Sequence, residues 1–181
     1  MRYSILNDIE MILTDLDGTL CDTDEANNLA YKQAIGYCAP HLQIPLVRRI
    51  TKEVVDKHCG DEVLTEKIQE KKIEYNSEFL GHTYLNKELI EFLIVNKSTT
   101  KVCLVTKASP ERVAQLLSHH NCAEIFDRIF FCKHIDNKYQ HALNEINMCS
   151  EKVLVFENDE SEILHANEAG IPNNNITRIS L

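Results

Sequence analysis

Four short runs in the chain are almost wholly apolar: Met11–Thr14 (MILT), Val102–Thr106 (VCLVT), Ile129–Cys132 (IFFC) and Val153–Phe156 (VLVF). Each is too short for a helix and too uniformly apolar for a strand with one wet face. Parallel strands covered by helices on both sides read this way. Between the second and third runs, SPERVAQLLSHHN places Ser109 as an N-cap and Pro110 at the first helical position, and Val113, Leu116 and Leu117 follow helical spacing. Tyr139–Met148 predicts a further helix, and Glu160–Ala169 another, stopped by Gly170 with Pro172 just beyond. Ile176–Ile179 predicts a last edge strand. This alternation predicts an α/β fold with a doubly wound parallel sheet.

The segment from Thr23 to Leu85 interrupts the alternation, since it contains helical patterns and no convincing strand. Glu25–Tyr37, Leu46–His58 and Glu62–Leu80 supply the helices, joined by polar connections at Ala39–Pro45 and Cys59–Asp61. Roughly 60 residues exceed what an ordinary crossover needs. The pattern predicts a small helical domain over 23–85, inserted into a core made of 1–22 and 86–181.

Charge narrows the partners. The 19 Lys and Arg against 28 Asp and Glu give a formal net charge of −9, and no basic run offsets it. Neither a nucleic-acid backbone nor an anionic membrane surface suits that balance. Seven cysteines without a C-x-x-C pair argue against a secreted disulfide framework and for a reduced, cytoplasmic protein. The eight histidines show no zinc-ligand spacing. The opening MRYSILNDIEMIL lacks a signal-peptide profile, and no stretch approaches the roughly 20 apolar residues of a membrane span.

The chemistry gathers where the predicted strands end, which is the edge at which open α/β sheets bind ligands. The first run continues into Asp15-Leu16-Asp17-Gly18-Thr19-Leu20. Two carboxylates so close repel one another and call for a cation, a shared proton or a cationic substrate group. Hard oxygen ligands at such a mouth favour Mg²⁺, whereas an N-cap with an Asx-turn would use the same residues for structure alone. Thr106 brings a hydroxyl to the end of the second run, followed by Lys107. Lys138 lies at or near a helix start, where the dipole disfavours a cation, so it has either a specific anion to meet or only solvent. Glu157-Asn158-Asp159 adds acidic and amide oxygens after the fourth run, or else caps the helix Glu160–Ala169. Together these groups are an inventory for phosphoryl transfer: an attacking carboxylate, a carboxyl acid/base, and a hydroxyl and an ammonium for the phosphoryl oxygens.

Over nearly its whole length the chain resembles the haloacid dehalogenase superfamily. DLDGTL at Asp15–Leu20 is similar to its first motif, VCLVT ending at Thr106 to its second, Lys138 to the lysine of its third, and VLVFEN leading into ESEILHANEAG to its fourth. The insert, opening with DTDEANNLAYKQAI, resembles the C1 cap of the phosphoglycolate-phosphatase and β-phosphoglucomutase branch. The resemblance implies a Rossmann-like core under a helical cap that closes over the site. It implies an Mg²⁺-dependent phosphomonoester hydrolase, with Asp15 as nucleophile, Asp17 as general acid/base, and Thr106 and Lys138 on the phosphoryl oxygens. Mg²⁺ would be held by Asp15, the carbonyl of Asp17 and Asn158, with Glu157 near it. Asn27 and Lys107 are candidates for substrate binding, the substrate being a small phosphorylated metabolite. A monomer or weak homodimer is expected.

Three positions depart from the family pattern. Asn158 stands where the fourth motif normally has Asp, Lys107 where Asn commonly follows the threonine, and Tyr139 where Pro often follows the lysine. The first bears on metal affinity, the others on substrate choice. A sugar phosphomutase of the same fold, or a catalytically weakened domain used for binding, are the alternatives. A dehalogenase fits less well, because halide displacement leaves Asp17 without a leaving alkoxide to protonate.

Overall fold

The computed structural model describes residues 8–181. In chain order the elements are β1 (Met11–Thr14), β2 (Cys21–Asp22), α1 (Asp24–Cys38), α2 (Lys52–Cys59), α3 (Glu62–Tyr75), β3 (Tyr84–Leu85) and α4 (Lys87–Asn96). They continue with β4 (Lys101–Thr106), α5 (Pro110–His119), β5 (Arg128–Phe131), α6 (Lys138–Ile146), β6 (Val153–Glu157), α7 (Glu160–Glu168) and β7 (Ile176–Arg178). The described residues divide into two compact units, one from 8–22 with Leu85–Leu181 and the other from Thr23–Tyr84.

The first unit is a five-stranded parallel sheet in the order β5-β4-β1-β6-β7. All four residues of β1 are buried, as their uniform apolarity predicts for a central strand. Successive side chains alternate between the faces. Met11, Leu13, Cys103, Val105, Val153 and Val155 pack on one side against Tyr139, Ala142 and Leu143 of α6 and Ala166 of α7. Phe156, of opposite parity, meets Phe92 of α4 edge-on at 5.4 Å between ring centroids. Helix α4 answers to no element predicted from the sequence, although Asn86 caps it by accepting from the Leu89 N–H at 3.1 Å. Its run KELIEFLIV is so apolar that no helical stripe stands out.

The second unit is helical. Tyr31, Ala34 and Ile35 of α1 form its core with Ile50, Val55 of α2 and Ile68 of α3. The helix predicted over Leu46–His58 begins only at Lys52, with the Thr51 side chain accepting from the Val54 N–H. The carbonyls of Arg48 and Ile50 instead accept from the amides of Asn28 and Asn27, each at 2.8 Å, so this stretch is bound sideways to α1. The helix predicted over Glu62–Leu80 stays α-helical to Tyr75 and tightens into a 3₁₀ segment over Asn76–His82. The seven cysteines are free thiols. Among the described residues no helix is long and apolar enough to cross a membrane.

Candidate active site

β1, β4 and β6 run side by side and end together. Thr14 lies in register with Leu104 and Phe156, so Asp15, Thr106 and Glu157 emerge at one edge of the sheet. Asp15 prolongs β1, its N–H donating to the Phe156 carbonyl at 3.1 Å. The chain then winds into a tight loop in which the Gly18 N–H donates to the Cys21 carbonyl at 2.8 Å, with Gly18 at φ +77°. A side chain is excluded at Gly18 twice over. The positive φ strains any L-residue, and a Cβ there would lie 2.5 Å from the side-chain nitrogen of Asn158.

Lys138 is the first residue of α6, and it is buried. Its Nζ donates to Asp15 Oδ1 at 2.5 Å and lies 2.8 Å from Glu157 Oε2. Of the two alternatives for a lysine at a helix start, an anion to meet or only solvent, Lys138 takes the first, with these two carboxylates. Burial works against its charge, but Asp15 and Glu157 outweigh that and raise its pKa, so it stays an ammonium. Burial pushes the Asp15 carboxyl up to about 7, Lys138 opposing and Glu157 reinforcing the shift.

Glu157 is fully engaged with the protein. Oε1 accepts from the backbone N–H groups of Asn158 and Asp159 at 2.8 and 3.0 Å, and Oε2 accepts from the Tyr139 hydroxyl at 2.6 Å. Tyr139 thus departs from the family pattern to anchor Glu157 from inside the core, where it is wholly buried and out of reach of a substrate. Asp159 is the N-cap of α7, its Oδ1 accepting from Ser161 N and Oγ at 2.8 and 2.6 Å. The capping alternative therefore describes Asp159, whereas Asn158 faces the site.

The second carboxylate has a partner that sequence reasoning missed. Arg112 donates through two nitrogens to the two oxygens of Asp17, both at 2.6 Å. The guanidinium comes from the first turn of α5, six residues after Thr106. A cation there opposes the helix dipole, which is the same signal that singles out Lys138. Thr106 is buried, and its Oγ1 accepts from the Ala108 N–H at 3.1 Å, which leaves its own O–H to donate.

The two candidates for substrate binding each have a partner within the protein. Lys107 pairs with Glu162 Oε1 at 2.7 Å. Asn27 is buried in the helical unit with its amide on the Ile50 carbonyl.

Among the described residues no three His, Cys, Asp or Glu side chains form a metal cage. Oxygens of other kinds do gather. The inward atom of the Asn158 amide lies 3.0 Å from the Asp17 carbonyl oxygen, 3.2 Å from Glu157 Oε1 and 2.9 Å from Thr19 Oγ1. Octahedral Mg²⁺ with ligands at about 2.1 Å sets neighbouring oxygens about 3.0 Å apart. With its oxygen inward, the amide and the Asp17 carbonyl fit such an edge.

A phosphorylated carbohydrates phosphatase of Thermotoga maritima is 27% identical over 181 residues, spanning 90% of this chain and 82% of that one. The fold is shared with a haloacid dehalogenase-like hydrolase of Streptococcus pneumoniae, at a TM-score of 0.77 and 17% identity over 92% of this chain and 83% of that one. It is shared equally with a predicted phosphoglycolate phosphatase of Haemophilus somnus, at a TM-score of 0.77 and 16% identity over 91% and 84%. The family model for haloacid dehalogenase-like hydrolases matches residues 12–175, and the chain belongs to that family of enzymes.

Proposed function

We propose that this protein hydrolyses phosphomonoesters of small metabolites through an aspartyl-phosphate. The observation that carries the reading is the chain Asp15–Lys138–Glu157, a carboxylate held at a strand end by a buried ammonium that a second carboxylate fixes in place. Asp15 attacks phosphorus, and the bond to the leaving oxygen breaks. The leaving alkoxide takes a proton from Asp17. Water then attacks the aspartyl-phosphate, Asp17 takes the water's proton, and the phosphorus–Asp15 bond breaks to release phosphate. Lys138 and the Thr106 hydroxyl donate to the phosphoryl oxygens as charge develops on them.

With Asp15 in the carboxylate form that attacks, three carboxylates (Asp15, Asp17 and Glu157) face two cations (Lys138 and Arg112), leaving one net negative charge before a dianionic phosphoryl group arrives. The residues that would hold Mg²⁺ are Asp15, the Asp17 carbonyl and Asn158, and the ion would neutralise phosphoryl oxygens. Arg112 occupies both oxygens of Asp17, so the fork opens before Asp17 carries a proton. An incoming phosphoryl group offers the guanidinium equivalent oxygens in exchange.

Phosphate release from a panel of phosphomonoesters in the presence of MgCl₂ tests the reading, alongside Asp15→Asn. The variant keeps the shape of the side chain and loses the nucleophile. Its turnover should fall by roughly a thousandfold or more, as for other lost nucleophiles, while the protein stays folded. Trapping of a phosphorylated Asp15 peptide from wild type completes the test. A folded Asp15→Asn protein with near-native turnover refutes the mechanism.

A further inference from the structure

The Asn158 amide fills the same space in either of two orientations, and they differ in what they need at the centre of the site: nitrogen inward satisfies the amide within the protein, whereas oxygen inward leaves it facing acceptors. Its amide packs against Gly18, whose missing Cβ makes the room. A half-turn about the last side-chain bond exchanges nitrogen and oxygen without moving any other heavy atom, since the two are nearly isosteric. With nitrogen inward, the amide donates toward the Asp17 carbonyl at 3.0 Å, Thr19 Oγ1 at 2.9 Å and Glu157 Oε1 at 3.2 Å. With oxygen inward, it accepts from the Thr19 hydroxyl at 2.9 Å but confronts two other oxygens with no proton between them. The Thr19 hydroxyl serves both states, because it donates or accepts as required. The remaining oxygens do not.

We infer that Asn158 is a metal-linked amide switch: nitrogen inward when the site holds no divalent cation, oxygen inward as a ligand when it does. The inference rests on the proposed Mg²⁺ site and adds a state that an aspartate at this position lacks. Both oxygens of a carboxylate accept only, so an aspartate here would set a further negative oxygen against the Asp17 carbonyl and the Glu157 carboxylate in the metal-free protein. The amide lets the site close on itself with its hydrogen bonds made. The metal then competes with that closed arrangement, and its binding is weakened accordingly.

The test reads binding and stability and leaves turnover aside. In wild-type protein free of divalent ions, the Asn158 side-chain NH₂ signals in ¹⁵N spectra should show hydrogen-bonded, slowly exchanging protons. MgCl₂ alone should move those signals and speed their exchange. Thermal unfolding of wild type and Asn158→Asp, each titrated with MgCl₂, gives the second reading. Without metal the variant should melt lower than wild type. Its midpoint should climb with MgCl₂ at concentrations about tenfold or more below those wild type needs, in line with the roughly 10–100-fold changes seen at metal sites. A variant too unstable to fold without Mg²⁺, yet folded with it, gives the same answer. Side-chain amide protons that exchange freely in metal-free wild type would overturn the inference. So would equal melting of the two proteins at every MgCl₂ concentration, or Asn158 signals indifferent to Mg²⁺. None of these readings depends on hydrolysis, so the switch and the proposed phosphatase activity fail separately.

Discussion

Arg112 grips Asp17 with a two-pronged guanidinium, both contacts at 2.6 Å, at a distance of 95 residues along the chain. The Arg112 side chain is 16% exposed and that of Asp17 25%, so the pair lies in a partly screened setting, better shielded than a surface ion pair. Burial works against the guanidinium's charge, but Asp17 outweighs that and raises its pKa further.

Two carboxylates spaced as in DLDG call for a cation, a shared proton or a cationic substrate group, and Arg112 is a cation supplied by the protein itself. Replacing it with Met should leave a folded protein whose kcat/KM toward phosphomonoesters falls, on the order of tenfold or more for a lost charged partner. Arg112→Lys should recover little, because an ammonium cannot fork. Steady-state kinetics on the three proteins checks this. Wild-type kinetics in Arg112→Met would reduce the pair to a structural pin.

The pH profile follows from Asp15. The nucleophile attacks as the carboxylate, and its pKa stands raised to about 7 chiefly by burial. The carboxylate form of Asp15 is therefore complete well above that pH and falls tenfold for each unit below it. Between about pH 6 and pH 7 kcat/KM should rise with a slope of one. The second ionisation of a phosphomonoester lies near 6 and gives a separate, lower limb. Raising MgCl₂ should move the upper midpoint down, since a nearby cation favours the charged form. A profile whose single limb lies at 6 or below at low MgCl₂ would show that the working enzyme does not hold Asp15 in this raised state.

The order of the chain carried the sheet and most of the site into view. Uniformly apolar runs such as MILT and VLVF have one good explanation, a strand buried on both faces, and carboxyl ends of parallel strands converge wherever such strands lie side by side. Topology alone therefore brings Asp15, Thr106, Lys138 and Glu157 to one edge of the sheet. What stayed hidden depends on where side chains reach. Nothing local says that Tyr139 turns inward to Glu157, or that Lys107 turns to Glu162 across 55 residues. Asn27 is a candidate by residue type and place in the insert, and the contact of its amide with the Ile50 carbonyl is not written in the local sequence. Arg112 was legible in principle, being a cation in the first turn of α5, but an exposed arginine reads the same way. Helix α2 starts late because two asparagine amides bind the carbonyls ahead of it, an arrangement that hydrophobic spacing does not encode.

Tyr139 permits the sharpest separation of structure from chemistry. Its ring is wholly buried beneath the sheet edge, and its hydroxyl donates to the Glu157 oxygen that also meets Lys138. Tyr139→Phe keeps the ring and deletes one donor, leaving Lys138 to satisfy that oxygen alone. Loss of one partner from a buried acceptor costs about 1–3 kcal/mol, to be read as a lower urea midpoint at unchanged m-value. Catalysis should suffer less, because Lys138 keeps its contact with Asp15. Lys138→Met removes the charge between two buried carboxylates and should cost both. Breaking a buried ion pair from one side destabilises by about 3–5 kcal/mol, and the phosphoryl oxygens lose their ammonium. Urea unfolding and phosphate release on both variants distinguish the two roles. Equal losses of turnover in Tyr139→Phe and Lys138→Met would show that Glu157 must be held from both sides for Lys138 to act. A Tyr139→Phe protein as stable as wild type would show that the hydroxyl contributes nothing to the anchor.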